Sequence, residues 1–246
     1  MSDSEVEDFQ TRVKGTQYVG DGLDVYFTTT REFLAEVLPP CFGVPEEPVA
    51  CLQYSGAVGA KLEFRSLVLY VAATFRGQNA FYDLTHLLTG DMTITIGREL
   101  WGECKKQADI TATATEGRMQ VSAVRNGTQI IGIDAEIGPD LGPRDSAGNR
   151  QVHVKAFLDS DGTDLEYDPI VFVLTSSTHY ESYHEGTASI ELTSTPGDPC
   201  GSVPVVSVDR AVYGRRRSSY TQEHFPVDGR QEYLPYVIGR SYDFMS

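Results

Sequence analysis

Gly97-Arg98-Glu99-Leu100-Trp101-Gly102-Glu103-Cys104-Lys105-Lys106 closes on two adjacent lysines, and the reading of this stretch decides how the rest of the chain is understood. Two ammonium groups joined through one peptide link raise each other's free energy, so the more easily dehydrated one can lose its proton near neutral pH. A neutral lysine amine is a nucleophile. Lysine ionises near pKa ~10.4, so holding it neutral at neutral pH costs about 4 to 5 kcal/mol. Repulsion alone rarely supplies that. The lone tryptophan, Trp101, with Leu100 beside it, offers an apolar wall that adds desolvation. A solvated surface turn is the plainer reading of a Lys-Lys pair, and the residues by themselves leave both readings open.

Around this stretch lies a chain of 246 residues, enough to bury a substantial core as one domain. No internal linker divides it, so we read residues 1–246 as a single domain whose first dozen residues form an acidic, flexible tail. Lys plus Arg number 20 against 35 Asp plus Glu, a formal charge of -15, which argues against a nucleic-acid partner or an anionic membrane surface. One basic cluster, Arg215-Arg216-Arg217, reads as a solvated loop, with a local gate for an anionic substrate as the sharper alternative. Cys41, Cys51, Cys104 and Cys200 are scattered without a CxxC pair, against a disulfide framework or a zinc knuckle. The amino terminus is acidic rather than basic then apolar, unlike a secretory signal, and no apolar run reaches membrane-spanning length. The expected compartment is the cytoplasm, where Asn126-Gly127-Thr128 means only a turn.

Taken in order, the chain shows short strands around few helices. Tyr18 to Thr28 reads as strand, turn, strand, broken at Gly20-Asp21-Gly22. Thr29 with Glu32 has capping-box spacing for a helix whose Phe33, Leu34, Val37 and Leu38 share a face and which Pro39-Pro40 ends. Val49 to Phe75 reads as two strands around Ser55-Gly56-Ala57, with Leu67 to Ala73 buried on both faces, and Arg76-Gly77-Gln78-Asn79 is a tight turn. Met92 to Ile96 alternates like a strand. Period-2 segments follow at Ile110–Glu116, Met119–Arg125, Gln129–Ile137, Gln151–Leu158, Ile170–Leu174, Ala188–Thr193 and Val203–Val208, with turns at Glu116-Gly117, Asn126-Gly127 and Gly138-Pro139. The aromatic-rich segment from Tyr236 to Met245 is expected to return to the sheet. The class is α+β, mainly antiparallel β, closing or nearly closing into a barrel.

Other constellations carry less. His179, Glu181, His184 and Glu185 contain metal-ligand residue types, but the two histidines are five apart, matching neither a helix face nor a strand face, so we expect no metal site. Asp159 to Asp164 suggests a calcium loop, yet its glycine falls too early and Ile170 occupies the twelfth position. There is no nucleotide-binding glycine loop and no GxSxG elbow.

The string GRELWGECKK resembles the signature of the acetoacetate decarboxylase family, in which Gly-Arg-Glu, a spacer and Pro-Lys-Lys carry a lysine that forms a Schiff base. That resemblance makes Lys105 the imine former and Lys106 its neighbour, and implies the family's barrel or cone. It also makes Met92 to Ile96 a helix, capped by Thr89 or Asp91, that delivers the lysine. Cys104 stands where the family usually has proline, which loosens the backbone and puts a thiol beside the amine. Gly59-Ala60-Lys61-Leu62-Glu63 keeps the glycine and acid of the family's Gly-x-Tyr-x-Glu pattern, so Glu63 becomes the acid/base candidate, against the plainer reading of a strand-face carboxylate. By the same comparison Gln53 replaces a pocket glutamate, and His86 and Trp101 line the substrate site. Arg98 and Glu99 are expected to form an ion pair that fixes the lysine loop. The arginine that the family places in its first strand region is missing, since Gly20 to Gly22 offer only glycine and aspartate. The implied chemistry needs no cofactor and no metal. The expected substrate is a small keto compound or keto acid, most simply a β-keto acid that is decarboxylated. Aldol-type condensation with dehydration, cyclisation, or ligand binding without catalysis remain as alternatives, and the family implies a homo-oligomer.

Overall fold

From Leu23 onward the first strand alternates apolar Leu23, Val25 and Phe27 with Asp24, Tyr26 and Thr28, and this alternation sets which face of the barrel wall meets which environment. The computed structural model describes residues 2–14, 17–59 and 62–242. Its elements are α1 (Asp3–Lys14), β1 (Tyr18–Thr28), α2 (Arg31–Val37), β2 (Val49–Gly59), β3 (Leu62–Phe75), β4 (Gln78–Leu88), α3 (Asp91–Ile96), a π turn (Gly97–Trp101), β5 (Lys105–Gln107), β6 (Asp109–Thr115), β7 (Arg118–Arg125) and β8 (Thr128–Asp140). They continue with β9 (Arg144–Lys155), β10 (Ile170–Tyr180), β11 (His184–Leu192), the short β12 (Ser194–Thr195) and β13 (Asp198–Pro199), a 3-10 turn (Cys200–Ser202), β14 (Ser207–Pro226) and α4 (Arg230–Ser241).

Among the described residues, strands β1-β2-β3-β4-β9-β10-β14 are hydrogen-bonded in that order, and β14 pairs back with β1 to close a seven-strand barrel. The expected α+β class and barrel are therefore what the chain forms. The sheet continues beyond β14 through β11, β8, β7 and β6 as a second layer. The main hydrophobic core fills the space between that layer and the barrel's outer face. Leu23, Val25 and Phe27 of β1, Leu52 of β2 and Leu67, Leu69 and Val71 of β3 join Ile110, Val121, Ile131 and Ile133 in one buried cluster. Asp24, Gln53, Ser66 and Tyr70, one residue out of phase, line the barrel's interior cavity. Apolar outside and polar inside is the arrangement of a barrel that holds a ligand rather than its own core.

Several expectations are corrected. Gly20 and Gly22 do not break β1. A Cβ on Gly20 would lie 1.9 Å from the carbonyl oxygen of Gly56, and one on Gly22 would lie 2.3 Å from the guanidinium carbon of Arg216. These glycines allow close approach within a continuous strand. Gly20→Ala pushes against backbone that cannot yield cheaply, so urea unfolding should show a loss of about 1–3 kcal/mol. Ser55-Gly56-Ala57 and Gly138-Pro139 lie within β2 and β8, and Arg215-Arg216-Arg217 lies within β14 rather than in a loop. The 20-residue β14 is the longest strand, serving both barrel and second layer. Helix α1 occupies most of the segment read as an acidic tail, and α4 takes residues expected to form a strand; the rest of that expected strand, 243–245, lies outside the described residues. Helix α2 forms as expected with its cap one residue later, Thr30 accepting from the Phe33 N–H at 3.2 Å. Arg76 and Gly77, both at positive φ, make the tight turn between β3 and β4. Among the described residues no helix is long and apolar enough to cross a membrane.

Candidate active site

Lys105 enters the cavity because four local features leave it little choice. Helix α3 forms over the strand-like Met92 to Ile96 because its threonines satisfy backbone carbonyls: Thr93 Oγ1 donates to Gly90 O at 3.1 Å and Thr95 Oγ1 to Asp91 O at 3.1 Å. Its cap is Gly90, not Thr89 or Asp91. The π turn follows, and Gly102 ends it in the left-handed region with φ 74°. A tight turn with Lys105 N–H donating to Glu103 O at 2.8 Å leads into β5, which pairs in parallel with β4 so that His86 lies opposite Lys105 and Leu87 opposite Lys106.

That strand alternation separates the two lysines. Lys105 Nζ faces the cavity, 2.6 Å from Glu103 Oε2 and 3.4 Å from Thr93 O, with the Trp101 ring centroid 5.8 Å away. Lys106 Nζ faces the other side, donating to Gly197 O at 2.8 Å and pairing with Asp198 at 3.3 Å. Adjacent in sequence, they do not share an environment. Gly97 is required by the same packing, since a Cβ there would meet Lys105 Nζ at 2.3 Å and Glu103 Oε2 at 2.2 Å.

Glu103 is the cavity carboxylate beside Lys105 that the sequence reading did not single out. Glu63, the expected acid/base residue, is exposed on β3, one residue out of phase with Phe64 and Ser66, which line the cavity. Period 2 therefore aims it outward, as an ordinary strand-face carboxylate; Ala60 and Lys61 of its motif lie outside the described residues. Glu103 stands two residues before Lys105, and the Lys105 N–H donates to Glu103 O at 2.8 Å, a three-residue turn at Cys104 that lets the two side chains meet. That spacing was the available signal. Burial alone would raise the Glu103 carboxyl, but the Lys105 ammonium, with His86 and His153, holds it below its ordinary range.

Behind Glu103 lies a buried cluster of titratable groups. His86 Nδ1 is 4.0 Å from Glu103 Oε1 and 3.6 Å from Asp83 Oδ2, and Asp83 Oδ1 is 2.9 Å from His153 Nδ1. Asp83 also accepts from the Cys104 backbone N–H at 3.3 Å. The proline usual at this place has no such donor, so Cys104 exchanges ring stiffness for a hydrogen bond that pins the residue before Lys105. Burial pushes the Cys104 thiol well up, which keeps it protonated.

Burial opposes charge on both Asp83 and His153, yet each stabilises the other's charged form, so Asp83 is lowered and His153 raised. The stabilisation from Asp83 is present above its ordinary 3.8 and is lost as pH falls through its folded value. The His153 contribution is complete below its ordinary 6.5 and is lost as pH rises through its raised value. The pair thus stabilises most between these limits. Asp83→Ala strands a buried imidazolium and should cost about 3–5 kcal/mol by urea unfolding, with the pH dependence on both sides flattened.

Gln53, His86 and Trp101 line the cavity, together with Arg216 of the basic triplet whose alternative reading was a gate for an anionic substrate. Arg216 reaches in from β14 across Gly22, donating from Nη1 to Asp24 Oδ2 at 2.7 Å and from Nη2 to Ser55 Oγ at 3.0 Å. The glycines that lack the family's arginine make room for one from another strand. Tyr18, Tyr26, Tyr70, Tyr180 and Tyr220 complete the wall, and burial pushes their phenols up, Tyr220 to about 12, so they stand as neutral donors. The cavity measures about 140 Å³. Arg98 directs its guanidinium at backbone carbonyls, Ser241 O at 3.1 Å and Lys105 O at 3.5 Å, while Glu99 is exposed; the expected loop-fixing role passes to Arg98 and α4. His179 pairs with Asp145 at 2.7 Å and His184 Nδ1 lies 3.0 Å from Gly138 O, so the four metal-ligand types do not converge.

A closed barrel with an inward amine, a carboxylate against it and a buried cation is a binding chamber equipped for carbonyl compounds. Its family is shown by sequence: residues 8–225 match acetoacetate decarboxylase (ADC), and the chain belongs to that family. No curated sequence resembles the chain closely enough to count as a match. Among solved structures, the acetoacetate decarboxylase of Legionella pneumophila superposes with a TM-score of 0.72 at 16% identity, covering 87% of each chain. The enduracididine biosynthesis enzyme MppR gives 0.69 at 11% identity over 86% of this chain and 87% of its own. An acetoacetate decarboxylase-like enzyme from Sphingomonas wittichii gives 0.63 at 16% identity over 85% and 92%. These likenesses establish a shared fold.

Proposed function

We propose that the protein is an imine-forming lyase that decarboxylates a β-keto acid, with Lys105 as the nucleophile and Glu103 as its proton acceptor and donor. The observation that carries this reading is the 2.6 Å contact between the buried Lys105 amine and the buried Glu103 carboxylate inside a cavity that also holds Arg216. Glu103 takes a proton from Nζ as the amine adds to the ketone. A second proton passes from the nitrogen of the adduct to the alkoxide oxygen to give the carbinolamine, Glu103 returns the first to that hydroxyl, water leaves, and an iminium ion remains. The bond to the carboxylate carbon then breaks, carbon dioxide departs, and the electron pair enters the iminium to give an enamine. Protonation at carbon and hydrolysis release the ketone and restore the amine. Burial lowers His86 despite its acidic neighbours, which favours a neutral ring beside Glu103. Arg216 holds the substrate carboxylate at the start and becomes less engaged as the charge leaves.

Incubation with a β-keto acid and borohydride tests the reading. A reduced adduct at Lys105 together with carbon dioxide release is the expected result. An adduct without carbon dioxide would replace decarboxylation by condensation or dehydration, and no adduct with any ketone would leave a binding role alone.

A further inference from the structure

Lys105 stands at a junction between two spaces of opposite character. The larger is the cavity already described, with Arg216, Gln53, Ser66 and Asn149 in its wall. The smaller measures about 50 Å³ and is walled by Leu62, Phe64, Leu88, Ile96 and Trp101. Tyr18, Phe64, Leu88, Trp101 and Lys105 border both. A ketone carbon bound to Nζ is planar as an iminium and carries two further substituents that diverge from it. One such arm can enter each space.

Chemistry decides which arm goes where. A carboxylate driven into the apolar chamber would lose its hydration among Leu62, Phe64, Leu88 and Ile96 and find no charge beyond the iminium itself, a penalty of several kcal/mol in transfer measurements on weaker polar groups. The acid arm therefore lies toward Arg216, and an alkyl arm fits the space between Phe64, Leu88 and Ile96. We propose that the substrate is a β-keto acid whose ketone bears an apolar group longer than methyl, of about three carbons. This rests on the imine reading at Lys105 given above. The length follows from the volume: about 15 Å³ admits one water-sized group, so this chamber takes about three. Burying each methylene favours the adduct about fourfold, so extending methyl to propyl favours it on the order of tenfold.

The test is competition. Equal concentrations of acetoacetate, β-ketohexanoate and β-ketododecanoate are trapped together on the wild-type protein with borohydride, and the adduct masses at Lys105 are compared. The alkyl arm stays in the adduct whether or not carbon dioxide has left, so the readout does not depend on turnover. We expect the six-carbon adduct to exceed the acetoacetate adduct about tenfold and the twelve-carbon adduct to fall below the six-carbon one. Ile96→Trp, on the partly exposed helix α3, should bring the six-carbon to four-carbon ratio down to about one; Leu62→Trp on the facing wall should do the same if the first variant folds poorly. Acetoacetate trapped as well as or better than β-ketohexanoate, or a ratio untouched by both tryptophans, overturns the inference while leaving the imine reading standing. No adduct with any of the three acids overturns the imine reading, and the chain-length inference falls with it.

Discussion

Replacing Lys105 by methionine should lower turnover by on the order of 10⁴-fold or more, because removing a covalent nucleophile removes the route and not merely one contact along it. The borohydride adduct should vanish with it. Methionine fills much of the volume against Trp101 and Gly97, so the packing of the π turn survives better than with alanine. The variant still leaves Glu103 buried without its partner, 6% exposed, and that uncompensated carboxylate should take up a proton rather than unfold the barrel. Circular dichroism of the variant checks this, and a folded but inert protein is the expected outcome. Lys106→Met separates the two lysines. Lys106 lies on the opposite face of β5, against Gly197 and Asp198, so its loss should reduce stability and leave the adduct at Lys105 in place. Loss of trapping in a folded Lys106→Met protein would restore the sequence argument in which the neighbouring ammonium activates its partner.

The contrast between these lysines shows what the sequence could and could not carry. Strand positions were legible because period 2 survives wherever one face is buried: the core residues of β1 and β3 are those the alternation singles out. Turns were legible only where glycine sits at positive φ, as at Gly77 and Gly127. Gly20 and Gly22 look the same on paper and do the opposite, because a glycine that admits a neighbouring backbone or guanidinium leaves no local trace. Arg216 was legible only as one of a basic triplet that could gate an anionic substrate, and not as the member that turns inward. Its flanking arginines are exposed, with Arg215 pairing with Asp21 and Arg217 with Glu181, so the triplet reads as a solvated loop until strand alternation is imposed on it. Gly22 and Arg216 explain each other, but they lie far apart in the chain and meet only when β1 and β14 close the barrel. The helical state of Met92 to Ile96 ran against its own periodicity and came from the family likeness alone. Glu63 was carried over the same way from a pattern that is only partly kept, and it stands exposed on β3, out of phase with the cavity-lining Phe64 and Ser66.

Glu103 and Glu63 provide the second decisive comparison. Glu103→Gln preserves shape and hydrogen bonding while removing the ability to take the Lys105 proton, so kcat should fall about 10²- to 10⁴-fold, the usual worth of a positioned acid/base group. The loss should appear in kcat more than in KM if, as proposed, Glu103 assists water loss while Arg216 holds the substrate carboxylate. In the wild type the Glu103 carboxyl is held below its ordinary 4.5 by Lys105 and the two histidines against the opposing effect of burial, so it is ionised throughout the neutral range and ready to accept. The acid limb of the pH profile set by this group should therefore lie below that value and disappear in the glutamine variant. Glu63→Gln, on the solvent side of β3, should change kcat by no more than about twofold, as an exposed carboxylate has no path to the amine. A large loss in Glu63→Gln with little in Glu103→Gln would mean that the catalytic carboxylate reaches the cavity by a rearrangement of β3, and the 2.6 Å ion pair would then be a resting contact that the reaction must first break.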